Sequence, residues 1–291
     1  MAVPFFSNVS AFFFRCACYY FPLTCMYVVA LQSPSSTRTS SASNTNVVSP
    51  KIAVIGSGAA GLVATRVLSR NGISPTVLEK DPYFCGGVWK YHPGSKTRPV
   101  YQGLRTNLPK EIMNYREFPW PPLSDKPQED LSFVTHAQVL EYLETYQQHF
   151  DLGRFIQFGC TVNRLQVLED RVSSVSPPNE AWPQIQLQWT QHQEFDNGTT
   201  PLASVPVHRS ETFDAVLVCN GHYSKASIPS LDGANYFTGR TLHSIEYDNP
   251  QDFEGQRVLC IGARASGGKL RPKAMNIPLH CYCTYRDNAC L

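Results

Sequence analysis

Two glycine-rich turns, each entered from a short apolar run, and a stretch of strict alternation between them predict a mixed α/β chain. The turns lie in "KIAVIGSGAAGL", from Lys51, and "VLCIGARASGG", from Val258; the alternation is clearest in "IQLQW", from Ile185. In order, they give a Rossmann-like dinucleotide-binding domain with an antiparallel β-meander, then the start of an incomplete second Rossmann-like domain. The expected boundaries are 1–50 for a targeting or disordered N-terminal segment, 51–235 for the first domain, 236–268 for the start of the second, and 269–291 for a tail.

The first turn is the most orderly part of the chain. Ile52 to Ile55 suit a central parallel strand, and Gly56, Gly58 and Gly61 then fit G-x-G-x-x-G, with Ser57, Ala59 and Ala60 filling it. Leu62, Val63, Val67 and Leu68 recur at helical spacing until Asn71-Gly72 stops the helix. A second strand, Thr76 to Leu78, delivers Glu79, 18 residues after Gly61. Each part has a mechanical reason. Gly56 makes the tight turn, Gly58 lets backbone approach a pyrophosphate, and Gly61 lets the helix pack on the strand. The helix N-terminus offers N–H groups to phosphate, and Glu79 can accept from adenosine ribose hydroxyls. An ordinary strand-to-helix turn does not account for the acid.

Composition removes several classes. The chain has 291 residues, 42% of them hydrophobic and 16% charged, so it can bury a core. A net charge of +2 gives no basis for nucleic-acid binding. Of the ten cysteines, Cys85, Cys160, Cys219 and Cys260 lie in the folded region without CxxC spacing, which reads as buried thiols. Cys281, Cys283 and Cys290 have only His280 beside them, so no metal site is expected. The apolar run Cys16 to Leu31 is 16 residues, short for a membrane span, and a Ser/Thr-rich stretch follows it. A secretory, ER or organelle targeting peptide, a marginal membrane anchor and a mispredicted start (leaving a cytoplasmic protein) all fit it.

Further along, Gly86-Gly87 permits close backbone approach beside Val88 and Trp89. "YQGLRTNLPKEIMNYREFPWPP" carries Pro109, Pro119, Pro121 and Pro122, which argue against a regular helix or central strand. "FVTHAQVLEYLETYQQHFDL" predicts an amphipathic helix with a Thr135–Gln138 capping box and Val139, Leu140, Leu143 and Tyr146 on one face. Ala215 to Cys219 return to a buried strand ahead of Asn220-Gly221, and Asn197-Gly198-Thr199 is a sequon without weight unless the chain is secreted.

These motifs together resemble the flavin-dependent monooxygenases of the N- and S-oxygenating type. The resemblance rests on the first glycine turn, Glu79, "GGVW", "LRTNLPKEIM" with "EFPWP", the fingerprint Phe237, Gly239, His243 and Tyr247, and "CNGHY". The "RTNLPKEIM" wording is closest to the plant and fungal S-oxygenating branch, and Tyr247-Asp248 stand where Baeyer–Villiger relatives carry Trp-Pro. By that resemblance FAD is held by Gly56, Ser57, Gly58, Ala59, Ala60, Gly61, Glu79, Gly87, Val88, Trp89, Thr106, Asn107 and Leu108, with the backbone of Val162 on its adenine side. Asn107 is the expected catalytic residue, an uncharged amide that donates and accepts without titrating. His243 is expected to shape the domain junction, not to act as a base. The implied reaction takes FAD, NADPH and O₂ and oxygenates a sulfide or amine through a flavin C4a-hydroperoxide. A disulfide reductase would need a cysteine pair, and Cys85 stands alone; an amine oxidase of the common type would follow its glycine pair with Arg, not Val88-Trp89.

The NADPH domain implied by this scheme would begin at Val258, with Gly262, Ser266 and Gly267 holding its loop and Arg264 at the middle glycine. Pro272 falls where a helix interior is needed, at about 3 kcal/mol. Family character is therefore expected to end near Gly268, with no second strand after it, as in a truncated product with a read-through or frameshifted tail. A catalytically inactive FAD-binding fragment is the alternative.

Overall fold

The computed structural model describes residues 27–29, 49–122, 131–168, 184–193, 205–262, 279–282, 284–285 and 288–289. Two compact units interleave along the chain: Met1–Gly87 with Leu143–Gly221, and Val88–Tyr142 with His222–Leu291.

The first unit holds a five-stranded sheet. Its strands are β1 (Tyr27–Val29), β2 (Ile52–Ile55), β3 (Thr76–Leu78), β4 (Ile156–Gln157) and β8 (Ala215–Val218), in the order β1-β8-β2-β3-β4. Pairing is parallel among β2, β3, β4 and β8, and antiparallel between β1 and β8, with Val28 opposite Leu217. A strand flanked by parallel partners has both faces covered, so β2 and β3 are continuous apolar runs; Ala53, Val54 and Val77 are wholly buried. Helix α1 (Ala59–Arg70) follows β2 and buries Leu62 and Val63. It stops as expected at Asn71, where Gly72 takes φ +78° and its N–H donates to Ser69 O.

The expected meander is β5 (Cys160–Val167), β6 (Ile185–Gln193) and β7 (Val205–Phe213), paired antiparallel in that order. Ile185, Leu187 and Trp189 alternate into one core with Cys160, Phe213 and Val216. That shared cluster ties the meander to the parallel sheet.

In the second unit the proline-rich stretch makes the short α2 (Lys110–Met113) and a turn, Tyr115 to Phe118. One side chain closes that turn: Tyr142 Oη accepts from Tyr115 N–H at 2.7 Å and donates to Phe118 O at 2.7 Å. Trp120 stacks on the same ring, 4.2 Å between centroids. Helix α3 (His136–His149) crosses the unit boundary. Its capping box forms, with Thr135 N–H donating to Gln138 Oε1 and Gln138 N–H to Thr135 Oγ1. The fully buried stripe is Val139, Tyr142, Leu143 and Tyr146; Leu140, expected on that face, is only half-buried. Tyr142 takes the i+3 place because its hydroxyl has two backbone groups to satisfy.

Strand β9 (Val258–Ile261) forms as expected, and a second strand does follow it. β10 (Leu279–Tyr282) pairs with β9 in parallel, Leu279 opposite Val258. A parallel pair requires a crossover between its strands, here residues 262–278. The expectation of no second strand fails: β10 is set by its pairing with β9, which the apolar pattern of the intervening sequence does not announce. Two two-residue strands, β11 (Thr284–Tyr285) and β12 (Asn288–Ala289), pair antiparallel beyond it. Among the described residues no helix is long and apolar enough to cross a membrane. The sequon and the rest of the N-terminal segment lie outside the described residues.

Candidate cofactor site

The first glycine turn is built by exclusion. Gly56 sits at φ +94°, and a Cβ there would lie 2.7 Å from Cys219 O. A Cβ on Gly61 would lie 1.8 Å from Gly56 O, so α1 can start where it does only with glycine at that place. Leu62 N–H donates to Gly58 O at 2.9 Å, which starts the helix at the loop. The first-turn N–H groups of Ala59, Ala60 and Gly61 precede any intrahelical carbonyl. The glycine pair meets this loop directly. Gly86 N–H donates to Ser57 O at 3.0 Å, and a Cβ on Gly87 (φ +59°) would lie 3.1 Å from the Gly58 Cα. Backbone thus crosses backbone with no side chain between, which leaves a concave main-chain surface suited to a pyrophosphate.

Glu79 ends β3 as expected and is buried. Its Oε2 accepts from Ser57 N–H (2.6 Å) and Ser57 Oγ (2.8 Å), and its Oε1 accepts from Asp81 N–H (2.9 Å). The carboxylate is therefore fixed against the turn before any ligand arrives. Val162 lies at a β-bulge in β5, where the register steps from Val162 opposite Trp189 to Arg164 opposite Gln188. A bulge turns main-chain groups out of the ladder, which suits the backbone contact expected of it. Cys85, next to the glycine pair, is buried; burial first, then the Glu144 carboxylate, pushes its thiol up to about 11. Such a thiol stays protonated and unreactive.

The second unit carries Val88, Trp89, Thr106, Asn107 and Leu108. Val88 is exposed and Trp89 half-buried. Thr106 is buried and doubly tied, its N–H donating to Val134 O (2.8 Å) and its Oγ1 accepting from Val134 N–H (3.2 Å). Arg105 bridges Thr135 alongside. Asn107, the next residue, is exposed on this pinned segment, with Leu108 half-buried behind it. His243 caps a short 3₁₀ turn: its Nδ1 accepts from Ile245 N–H while Glu246 Oε1 accepts from His243 N–H. Its role is structural.

Sequence reading missed a keystone. Asp248 accepts from Tyr91 Oη at 2.9 and 2.8 Å on its two oxygens and from Gln102 N–H at 3.1 Å. His136 Nε2 lies 3.2 Å from Gln102 O, so Gln102 is held on both sides, through its N–H and its carbonyl. A cavity of about 440 Å³ opens between Tyr101–Gly103 and Tyr247–Gln251. Burial and then the Tyr101 phenol push the Tyr247 hydroxyl up to about 12, so it stays protonated. No local motif marks Asp248 as a tie point; its contrast with Trp-Pro relatives bears on the branch of the family and not on these contacts.

Gly262 closes β9 at φ +111°, and among the described residues nothing lies within 4 Å of where its Cβ would be. Ser266 and Gly267, expected to complete that loop, lie outside the described residues, as do Arg264 and Pro272. Among the described residues no group of three or more His, Cys, Asp or Glu gathers as a metal would need.

A parallel sheet entered through a glycine turn, with an acid ending the next strand, defines a dinucleotide-binding α/β protein. Comparison with known proteins narrows this. The chain belongs to the flavin-binding monooxygenase-like family, whose model matches residues 49–277. That match runs past Gly268, where family character was expected to end. The chain is 33% identical over 259 residues to flavin-containing monooxygenase FMO GS-OX5 of Arabidopsis thaliana, covering 84% of this chain and 51% of the relative. With FMO GS-OX4 of the same plant it shares 35% over 236 residues, covering 76% and 46%. The solved structure of S-allyl-L-cysteine S-oxygenase from Allium sativum superposes with a TM-score of 0.65 at 27% identity, covering 83% of this chain and 52% of that one. The chain spans about half the length of the curated relatives it matches.

Proposed function

We propose that the first unit holds FAD and that the chain serves a monooxygenase that uses FAD, NADPH and O₂ to oxygenate a soft sulfur or nitrogen nucleophile. The observation that carries this is the side-chain-free crossing of Gly58 and Gly87 at the start of α1, with Glu79 fixed beside it. The donor set fits a flavin dinucleotide: main-chain N–H groups for the pyrophosphate and a carboxylate for the ribose. When bound, FAD supplies the redox and oxygen-activating chemistry, and the protein supplies position and exclusion of water. In this reading Gly56, Gly58 and Gly61 orient the pyrophosphate, and Glu79, held by Ser57, accepts from the adenosine ribose. Asn107 presents an amide that donates and accepts without titrating, on a segment held by Thr106. Gly262, with Ser266 and Gly267, would receive NADPH. The sulfide class is supported by the relatives, which include an enzyme named as an S-oxygenase.

The test is direct. Purified full chain should carry or take up FAD, read as visible flavin absorbance that stays with the protein on gel filtration. No retained flavin at saturating FAD overturns the reading. A second reading, an FAD-binding form without turnover, is favoured by the half-exposed state of β9. Steady NADPH oxidation coupled to sulfoxide formation from a dialkyl sulfide eliminates it.

A further inference from the structure

The site carries one relation that its motif does not require. Ser57 fills a place in G-x-G-x-x-G where any small residue fits the turn, yet it is wholly buried and spends both its N–H and its hydroxyl on one oxygen of Glu79. We infer that Ser57 is a positioning residue: it acts on the adenosine end of the dinucleotide through Glu79 and not by touching the cofactor. The inference rests on the proposed binding of FAD.

Glu79 is held through both its main chain and its carboxylate. Its N–H donates to Gln157 O at 2.9 Å, and its carbonyl accepts from Cys160 N–H at 2.7 Å. Its Oε2 takes two donors from Ser57, and its Oε1 takes Asp81 N–H. A carboxylate offers about four acceptor positions, so one remains, on Oε1. The Ser57 hydroxyl, itself wholly buried, takes one of the two acceptor positions of Oε2. Asp81 in turn is fixed, its Oδ1 accepting from Tyr83 N–H and Phe84 N–H at 3.1 Å each. The carboxylate is thus locked in one orientation with one vacant acceptor for a ribose hydroxyl. Without the Ser57 hydroxyl it would keep its charge and its place but lose a donor that sets its plane. A hydrogen bond to a group free to turn costs more to form than one to a group already held.

The test compares ligands on one pair of proteins. Flavin-free full chain, wild type and Ser57→Ala, is titrated with FAD and with an FAD analogue whose adenosine lacks both ribose hydroxyls, following flavin fluorescence. Wild type should prefer FAD over the analogue by about tenfold or more, the size expected of a hydrogen bond to a charged group. Ser57→Ala should lose most of that preference: FAD weakened by about tenfold, the analogue by less than twofold, with the thermal midpoint nearly unchanged. Equal weakening of both ligands means that Ser57 only supports the turn, and overturns the inference. An unchanged FAD affinity overturns it too. Failure of wild type to bind either flavin removes the proposed function itself, and the inference with it.

Discussion

Gly56 and Gly262 each end a four-residue apolar strand, and each sits at positive φ, +94° and +111°. Their surroundings differ. Around Gly56 the backbone of Cys219 and Asn220 leaves no room for a methyl group, while around Gly262 no atom of the described residues lies within 4 Å of a Cβ. Strand β2 lies between two parallel partners with Ala53 and Val54 wholly buried, whereas on β9 Leu259 and Ile261 are each 53% exposed. The same short pattern can therefore be a sealed cradle or an open strand end. Among the described residues, what separates them is the second partner strand, not the first glycine.

That contrast sets the largest expected effect. Gly61→Ala would force a Cβ to within 1.8 Å of the Gly56 carbonyl, backbone that cannot yield. It should cost more than about 3 kcal/mol and abolish flavin retention, because α1 must leave the strand to make room. Gly56→Ala meets Cys219 O at 2.7 Å and adds left-handed strain, and should cost nearly as much. Gly262→Ala has only the φ penalty, about 1 kcal/mol. Urea unfolding of the three variants ranks them; a Gly262→Ala cost equal to that of Gly61→Ala breaks the distinction.

Core truncation carries the comparison into the strands at smaller size. Val54→Ala removes two methyl groups from a site with no exposure and should cost about 2 kcal/mol. Leu259→Ala removes more carbon from a half-exposed site and should cost under about 1 kcal/mol. Thermal midpoints decide between them, and a reversed order would mean that β9 is covered in solution.

Within each region, what could be read from sequence was what depends on neighbours in the chain. The turn of Gly56 to Gly61, the stop at Asn71-Gly72, the Thr135–Gln138 box and the alternation of Ile185, Leu187 and Trp189 are all local, and all form. Glu79 was legible as an acid at the end of a strand. That one of its oxygens would be claimed by Ser57 was not, because hydrogen-bond partners 22 residues apart leave no periodic trace. Tyr142 is absent from the expected face for the same reason: its helical phase is unremarkable, and its burial follows from Tyr115 and Phe118. β10 was missed because a parallel partner is recognised by pairing across a crossover, which the apolar pattern of the intervening sequence does not announce.

In the second unit the order is held by polar contacts where the first uses close packing. Asp248→Ala would release Tyr91 Oη and Gln102 N–H together, leaving the Gln102 carbonyl at His136. The loss should be about 1–2 kcal/mol in urea unfolding. A sharper readout is Tyr91 itself. Burial, then the hydrogen bond and charge of Asp248, hold its phenol above the ordinary tyrosine range. An ultraviolet titration of Asp248→Ala should therefore show one tyrosine ionising at lower pH than in wild type; an unchanged titration removes Asp248 as the keystone.

The smallest effect is an alkaline one, and it separates the regions through their thiols. Cys85 and Cys160, both buried in the first unit, are pushed from 9.0 up to about 11, mainly by burial. The unfolded chain loses these protons near pH 9 while the folded chain keeps them, so between pH 9 and 11 the folded state binds more protons. Stability must then fall as pH rises through that window, by roughly 1–3 kcal/mol for the pair, and be unaffected below it. Tyrosines and lysines titrate over the same range, so the measure is the difference between wild type and the Cys85→Ala, Cys160→Ala double variant, whose stability should fall less steeply. Cys260, half-exposed on β9, belongs to the other case. Peptide mapping after brief alkylation of the folded chain should find Cys260 modified well before Cys85 or Cys160. Equal rates would place the first turn in as open a setting as the second, and the contrast between Gly56 and Gly262 would fail with it.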